Sequence, residues 1–289
     1  MTYIEASLAR YAKLKIEPQS PLIGATVHGV DLSDVSDEAL RAELCKALAE
    51  YQVLFFRKQT LTPEQHLAVA RVFGDPEKAK AFFPRLEGYN AVEVLETAPS
   101  VPRYGVDQWH SDITFYHNPP TGTVLYSRKL PELGSDTAWA SATRAYDLLP
   151  EGLKPWLETL EAVHSFEHSG WPNYFANIEN GREIYAKARA EYLPVVHPVI
   201  RTHPVTGRKI LYVNPNFTDR IKGLSRQESD ALLTLLFALL QKPEVQTRLR
   251  WELDTVAIWD NRATVHYALN DYVGERLLHR VTFGEDSAF

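Results

Sequence analysis

From about residue 90 onward, this 289-residue chain keeps breaking into short apolar runs. Residues 91–95, 122–128, 135–140, 195–203, 209–213, 245–251, 255–260, 264–267 and 277–283 are each too short for an ordinary helix. They are bounded by Gly, Pro, Asn and Asp, and so they read as strands. Pro204-Val205-Thr206-Gly207 is a turn signal that joins two of them into a hairpin. Residues 53–56, Val-Leu-Phe-Phe, form a continuous apolar run, as a strand buried on both faces requires. Helical signals lie elsewhere. Residues 34–37 offer caps before a helix over 38–51, with Leu40, Leu44, Ala47 and Leu48 at helical spacing. Thr62 caps a second helix that opens on Pro63 and stops at Gly74. Ser225 and Glu228 have capping-box form ahead of a third that runs through Leu240. Shorter helices are expected over 141–148 and 152–160. Many strands at irregular spacing, with helices at one end and in insertions, predict a mainly β chain: an antiparallel double-sheet barrel with flanking helices outside it. No repeat or linker interrupts residues 1–289, so a single domain is expected, with two irregular covering segments at about 75–108 and 163–192.

Composition narrows the function classes. An apolar content of 45% supplies a sizeable core. A net charge of −6 argues against a nucleic-acid or anionic-membrane partner. Cys45 is the only cysteine, so neither an intrachain disulfide nor a thiolate zinc site can form, and a reducing compartment suits the chain. The first residues mix acidic and basic groups without an apolar core, so no signal peptide is expected, and no run approaches a membrane span. The expected setting is cytoplasmic.

Trp109-His110-Ser111-Asp112 carries the chemistry. On extended backbone, or in a tight turn, residues two apart can present an imidazole and a carboxylate to one space. That is two-thirds of the 2-His-1-carboxylate triad that holds non-haem Fe(II), although such a pair alone is more often an ordinary hydrogen-bonded pair. Far downstream stand Trp259-Asp260-Asn261-Arg262, then His266, then Arg276 ten residues on and Arg280 four further.

His-x-Asp, a distant His and an arginine about ten residues later resemble the taurine dioxygenase (TauD/TfdA) family of Fe(II)/2-oxoglutarate-dependent dioxygenases, which includes alkylsulfatases and phenoxyacetate dioxygenases. Similar stretches run nearly end to end, among them residues 54–57, 73–74, 109–115, 134–139, 197–204, 211–221 and 258–280. The resemblance implies a double-stranded β-helix (jelly-roll) core. It implies His110, Asp112 and His266 as ligands of Fe(2+), with positions left for 2-oxoglutarate and O2. Arg276 would pair with the far carboxylate of 2-oxoglutarate and Thr137 would donate a hydroxyl to it, where a guanidinium fork matches a carboxylate bidentately. The family more often has Gly where Ser135 stands. Arg280 would grip the substrate's anion.

The rest of the substrate pocket departs from the taurine pattern. Val106 falls where the family has a taurine-contacting Asn, Lys80 where it has a sulfonate-binding His, and Phe83 where it has a Tyr. Phe217 keeps an aromatic wall and Trp171 replaces another. Taurine's ammonium would meet Val106 and stay unpaired, which is costly. The expected substrate is therefore a small anionic organic molecule with an apolar body, an alkyl or aryl sulfonate or a sulfate ester. It would be hydroxylated beside its anionic group, releasing sulfite or sulfate plus aldehyde, with succinate and CO2. A carboxylate substrate, such as an aryloxyalkanoate or an amino-acid-derived metabolite, is the alternative. A non-catalytic barrel binding a metal or small acid is a remoter one. His164, His168, His197 and His203 read as structural histidines. The family implies a homo-oligomer, dimer or tetramer.

Overall fold

A computed structural model describes residues 10–80, 83–98 and 107–286. Eight strands form the larger sheet, in the order β1 (Lys15–Pro18), β2 (Ala25–His28), β3 (Val53–Phe56), β14 (Val256–Asp260), β6 (Pro120–Lys129), β16 (Arg276–Glu285), β5 (Tyr89–Thr97) and β4 (Arg85–Leu86). All neighbours are antiparallel except β2 and β3. A second sheet runs β13 (Gln246–Leu249), β7 (Thr137–Ser141), β15 (Thr264–Ala268), and a single bridge from His266 to His110 extends it by one more segment. A three-stranded sheet of β12 (Thr218–Ile221), β8 (Glu161–His164) and β9 (Val195–Pro198), and a hairpin of β10 (Ile200–Thr202) and β11 (Lys209–Leu211), complete the strands among the described residues. This is the expected mainly β jelly roll.

The two-residue period of a strand decides what each side of the larger sheet holds. In β3, Leu54 and Phe56 face outward, into a core shared with Val124, Ile258 and Val281. Val53 and Phe55 face inward, with Leu125, Trp139, Trp259 and Leu278. Phe55 and Trp139 meet at 5.4 Å between ring centroids, and Trp139 and Trp259 at 5.7 Å, across the space between the sheets. The outer face is covered by α1 (Glu38–Tyr51) and α2 (Pro63–Phe73). Asp37 caps α1, and Thr62 with Gln65 forms a capping box on α2. After the short helices α3 (Ala142–Asp147) and α4 (Lys154–Leu157) come α5 (Trp171–Ala176), α6 (Gly181–Glu191) and α7 (Arg226–Leu240). Ser225 and Glu228 cap α7, which packs Leu233, Leu236 and Leu240 against Ala140 and Val265 behind the smaller sheet.

The same parity orients β16. Leu278 is inside, so Arg276 and Arg280, two residues to either side, also face the interior, while Val281 and Phe283 face the helices.

Two expectations need correction. Residues 195–203 are two strands, because the chain changes partner after Pro198: β9 pairs with β8, and β10 turns back on β11. The helix expected over 152–160 keeps one turn, Lys154–Leu157. Within 75–108, β5 is a wall of the barrel; Glu93 is buried, and Leu95 and Thr97 line the interior cavity.

Candidate active site

His110, Asp112 and His266 converge, with one potential ligand atom from each lying within 4.8 Å of the others. They form the one group of three such side chains found among the described residues. His266 comes from β15. His110 is not part of a regular strand: it makes a single bridge to His266, and the chain turns at Asp112, with Ile113 at φ 58°. The turn is held by Asn261, whose Oδ1 accepts the Asp112 N–H at 2.6 Å. The Asn261 Nδ2 donates to the carbonyls of Asp112 at 2.9 Å and Pro120 at 3.1 Å. Ser111 Oγ donates to the Thr264 carbonyl at 2.7 Å, tying the turn to the start of β15.

Protonation follows from the partners. His110 Nδ1 lies 2.7 Å from the Gln108 carbonyl, which can only accept, so Nδ1 carries the hydrogen and Nε2 keeps its lone pair for a metal. Burial lowers the pKa of His110. Burial, with His110 and Arg280 nearby, pushes His266 down to about 3. Burial opposes charge on Asp112, but Arg280, both imidazoles and the Thr123 hydroxyl at 3.0 Å together hold it below the usual carboxylate range. Two neutral imidazoles and one carboxylate are the donor set a divalent cation requires, and the Nδ1 of His266 is buried without a partner. These residues fit such an ion.

One cavity runs from His110 and His266 to Thr137 and Arg276. No carboxylate among the described residues acts on Arg276, and its Nε is buried and unpartnered. Burial pushes its pKa down to about 10. A cation held this way invites an anion. The Trp251 Nε1 donates to Thr137 Oγ1 at 3.0 Å, so the Thr137 hydroxyl hydrogen is left to donate elsewhere, toward the same end of the cavity. Tyr272 and Thr97, joined through their hydroxyls at 2.6 Å, line this end too.

A second cavity meets the site at His110 and Asp112, and shares His110, Phe83 and Arg280 with the first. Asp112, His110, Arg280, Phe83, Trp171 and Phe217 line it with Ile113, Phe115 and Asn216. Its aromatic wall is continuous: Phe83 stands edge-on to Trp171 at 5.2 Å, and Phe115 meets Phe217 at 5.0 Å. Thus Phe83, Trp171, Phe217 and Arg280 gather as the sequence suggests. Lys80 does not line either cavity. Its Nζ pairs with Glu77 at 2.8 Å and lies 4.4 Å from the Tyr116 ring centroid, because a half-buried ammonium needs a local carboxylate. Val106 lies outside the described residues.

The other histidines are structural. His164 Nδ1 is bonded to Thr114 Oγ1 at 2.9 Å, His197 Nε2 donates to the Thr114 carbonyl at 2.9 Å, and His203 Nε2 meets Asp260 Oδ2 at 2.9 Å. His168 lies 3.8 Å from Asp219. Sequence reading missed Glu93, Asn261, Trp251 and Thr123. Asn261 sits inside a quoted motif without a role. Glu93 carries a faint signal, a charge in step with Leu95 and Thr97 along one strand.

Comparison with known proteins agrees with this geometry. The family model described as "Taurine catabolism dioxygenase TauD, TfdA family" matches residues 15–282. The chain is 36% identical over 276 residues to an alpha-ketoglutarate-dependent sulfate ester dioxygenase of Pseudomonas putida, covering 93% of this chain and 89% of that one. It is 34% identical to an alkylsulfatase of Acinetobacter baylyi, covering 93% and 84%. A taurine dioxygenase structure from Burkholderia xenovorans superposes with a TM-score of 0.80 at 34% identity, covering 95% and 90%. The chain belongs to the TauD, TfdA dioxygenase family and is an enzyme of that family's alpha-ketoglutarate-dependent class.

Proposed function

We propose that this protein uses Fe(II), 2-oxoglutarate and O2 to hydroxylate an alkyl or aryl sulfonate or a sulfate ester at the carbon beside its anionic group. The observation that carries the reading is the meeting of two cavities beside the triad: one reaches Arg276 and Thr137, the other lies among aromatic rings, and Arg280 lines both where they adjoin. His110, Asp112 and His266 hold the metal on one face. Arg276 and Thr137 take the far carboxylate of 2-oxoglutarate. When bound, iron and 2-oxoglutarate supply the oxidising chemistry, with succinate and CO2 as their products. Arg280 orients the substrate by its anion, and Phe83, Trp171 and Phe217 hold its apolar body and keep water away. An alkyl CH2 carbon that gains a hydroxyl beside a sulfonate or sulfate ester collapses to an aldehyde and releases sulfite or sulfate.

The guanidinium of Arg280 suits a carboxylate as well, which keeps an aryloxyalkanoate or amino-acid-derived acid as the second reading. A substrate panel separates them. Succinate formation reports turnover on any substrate, and sulfite and sulfate are assayed separately. We expect substrate-dependent succinate with stoichiometric sulfite or sulfate; turnover confined to carboxylates would select the second reading. Absence of succinate across the panel would leave a non-catalytic barrel. The single, exposed Cys45 and the oxygen chemistry suit a reducing, cytoplasmic setting, and we infer a homo-oligomer there.

A further inference from the structure

Arg280 is not a bare cation. Its Nε donates to Glu93 Oε2 at 2.6 Å and its Nη1 donates to Asp112 Oδ1 at 3.2 Å. Glu93 is 1% exposed, and its other oxygen accepts the Lys80 N–H at 3.2 Å, so both of its oxygens are held. It stands behind the guanidinium: Arg280, Phe83 and Asp112 line the second cavity and Glu93 does not.

A buried carboxylate in this place has two consequences. With the Phe83 ring centroid 4.5 Å from the guanidinium carbon, it sets the plane of the fork, so the edge toward the cavity presents N–H groups in set directions. It also cancels the charge. The Arg280–Glu93 pair sums to zero and Asp112 adds one negative charge. Lys80, the next cation along, is already neutralised by Glu77. A divalent metal and a 2-oxoglutarate dianion cancel each other, and Arg276 at the co-substrate's far end offsets Asp112, so the whole set is neutral. The pocket therefore has oriented donors for an oxyanion and no surplus of positive charge.

We infer that Glu93 is a specificity-determining residue that limits the substrate's head group to a single negative charge. A sulfonate, a sulfate monoester or a carboxylate is accepted, and a phosphate monoester with the same alkyl body is rejected. Shape and hydrogen bonding are nearly the same for sulfate and phosphate esters, so discrimination has to come from the second charge, which meets Glu93 and Asp112 in a site of low polarity. The inference rests on the reading that Arg280 takes the substrate's anion.

The test is calorimetric binding to protein loaded anaerobically with Fe(II) and 2-oxoglutarate. Three ligands share one alkyl length: an alkyl sulfate with one charge, an alkyl methylphosphonate with one charge, and an alkyl phosphate, a dianion at about pH 8. In the wild type the first two should bind alike and the phosphate at least about tenfold more weakly. In Glu93→Gln the phosphate should come within about threefold of the methylphosphonate. A phosphate that binds wild type as tightly as the methylphosphonate overturns the inference, and so does an unchanged ratio in Glu93→Gln. The wild-type comparison needs no variant, so the test stands if Glu93→Gln does not fold. Arg280→Gln separates the two readings. Loss of alkyl sulfate binding there, with an unaltered ratio in Glu93→Gln, sinks the role of Glu93 alone; alkyl sulfate binding undiminished in Arg280→Gln sinks the reading of Arg280 and the inference with it.

Discussion

His110 and His266 exchange two backbone hydrogen bonds, 2.9 Å from the His110 N–H to the His266 carbonyl and 2.7 Å in return. The rings of the two residues lie 4.1 Å apart by their centroids. The imidazoles are thus placed by main chain joined across 156 residues of sequence (266 less 110), before any metal is considered. Asp112 joins them through a turn that Asn261 holds from behind.

The three ligands should be individually indispensable. His110→Ala and Asp112→Ala should each abolish Fe(II) binding and turnover, because two ligands seldom hold this ion against water. Metal titration checks the first and succinate formation the second; normal turnover in either variant would rule out that ligand.

Asn261→Ala removes partners from the Asp112 N–H, the Asp112 carbonyl and the Pro120 carbonyl, all buried. Unmade buried hydrogen bonds cost about 1–3 kcal/mol each, so the variant should lose about 3 kcal/mol or more of stability. Metal affinity should fall roughly 10–100-fold, as for other groups that orient a ligand. Chemical denaturation and metal titration measure the two effects, and a stable variant with unaltered metal affinity would count against the clamp.

Arg276→Ala should raise the KM for 2-oxoglutarate by roughly tenfold or more, with a smaller change in kcat at saturation, since a charge-assisted pair contributes about 1.5–3 kcal/mol. Thr137→Val should act in the same direction and less strongly. An unchanged KM in Arg276→Ala would remove it from the co-substrate site.

Ser135 has φ 63°, a left-handed conformation that glycine adopts freely, and its Oγ is buried without a partner. Its N–H donates to Asp271 Oδ1 at 2.9 Å, a bond that any residue there can make. Relief of the strain, less glycine's entropy, predicts that Ser135→Gly stabilises the fold by about 0.5–1 kcal/mol. A lower melting temperature in the variant would contradict this.

His66 gives the stability a pH dependence. Burial pushes it down to about 4 from an ordinary value of 6.5, while its Nε2 lies 3.2 Å from the Val124 carbonyl. Between those values the unfolded chain binds the proton and the folded one does not, so stability falls as pH drops from 6.5 toward 4. The full loss from this residue is about 3 kcal/mol. His197, also pushed down to about 4 by burial, adds in the same direction. Melting curves across this window should show the fall, and His66→Gln should flatten its slope by up to one proton.

Sequence alone determined what is local. The Asp37, Thr62 and Ser225 caps start their helices where expected, because a cap and its first turn lie within four residues of one another. The continuous apolar run 53–56 declared a strand buried on both faces, and so it is. His110, Asp112, His266, Arg276 and Arg280 were legible as candidates through the family resemblance, because their residue types and spacing match its motifs. What they touch was decided only by tertiary structure. Whether Arg280 faces the barrel or the helices depends on the parity of β16 against β6, and its partner Glu93 arrives from β5, 187 residues away in sequence. Lys80 looked like a substrate cation, but folding lays its ammonium over the Tyr116 ring, 36 residues on, with Glu77 as its local partner. Asn261 gained its role only when the β14–β15 turn met Asp112. A side chain's type carries its chemistry, but its charge balance and direction are set by neighbours that only the packed sheets bring within a few ångströms.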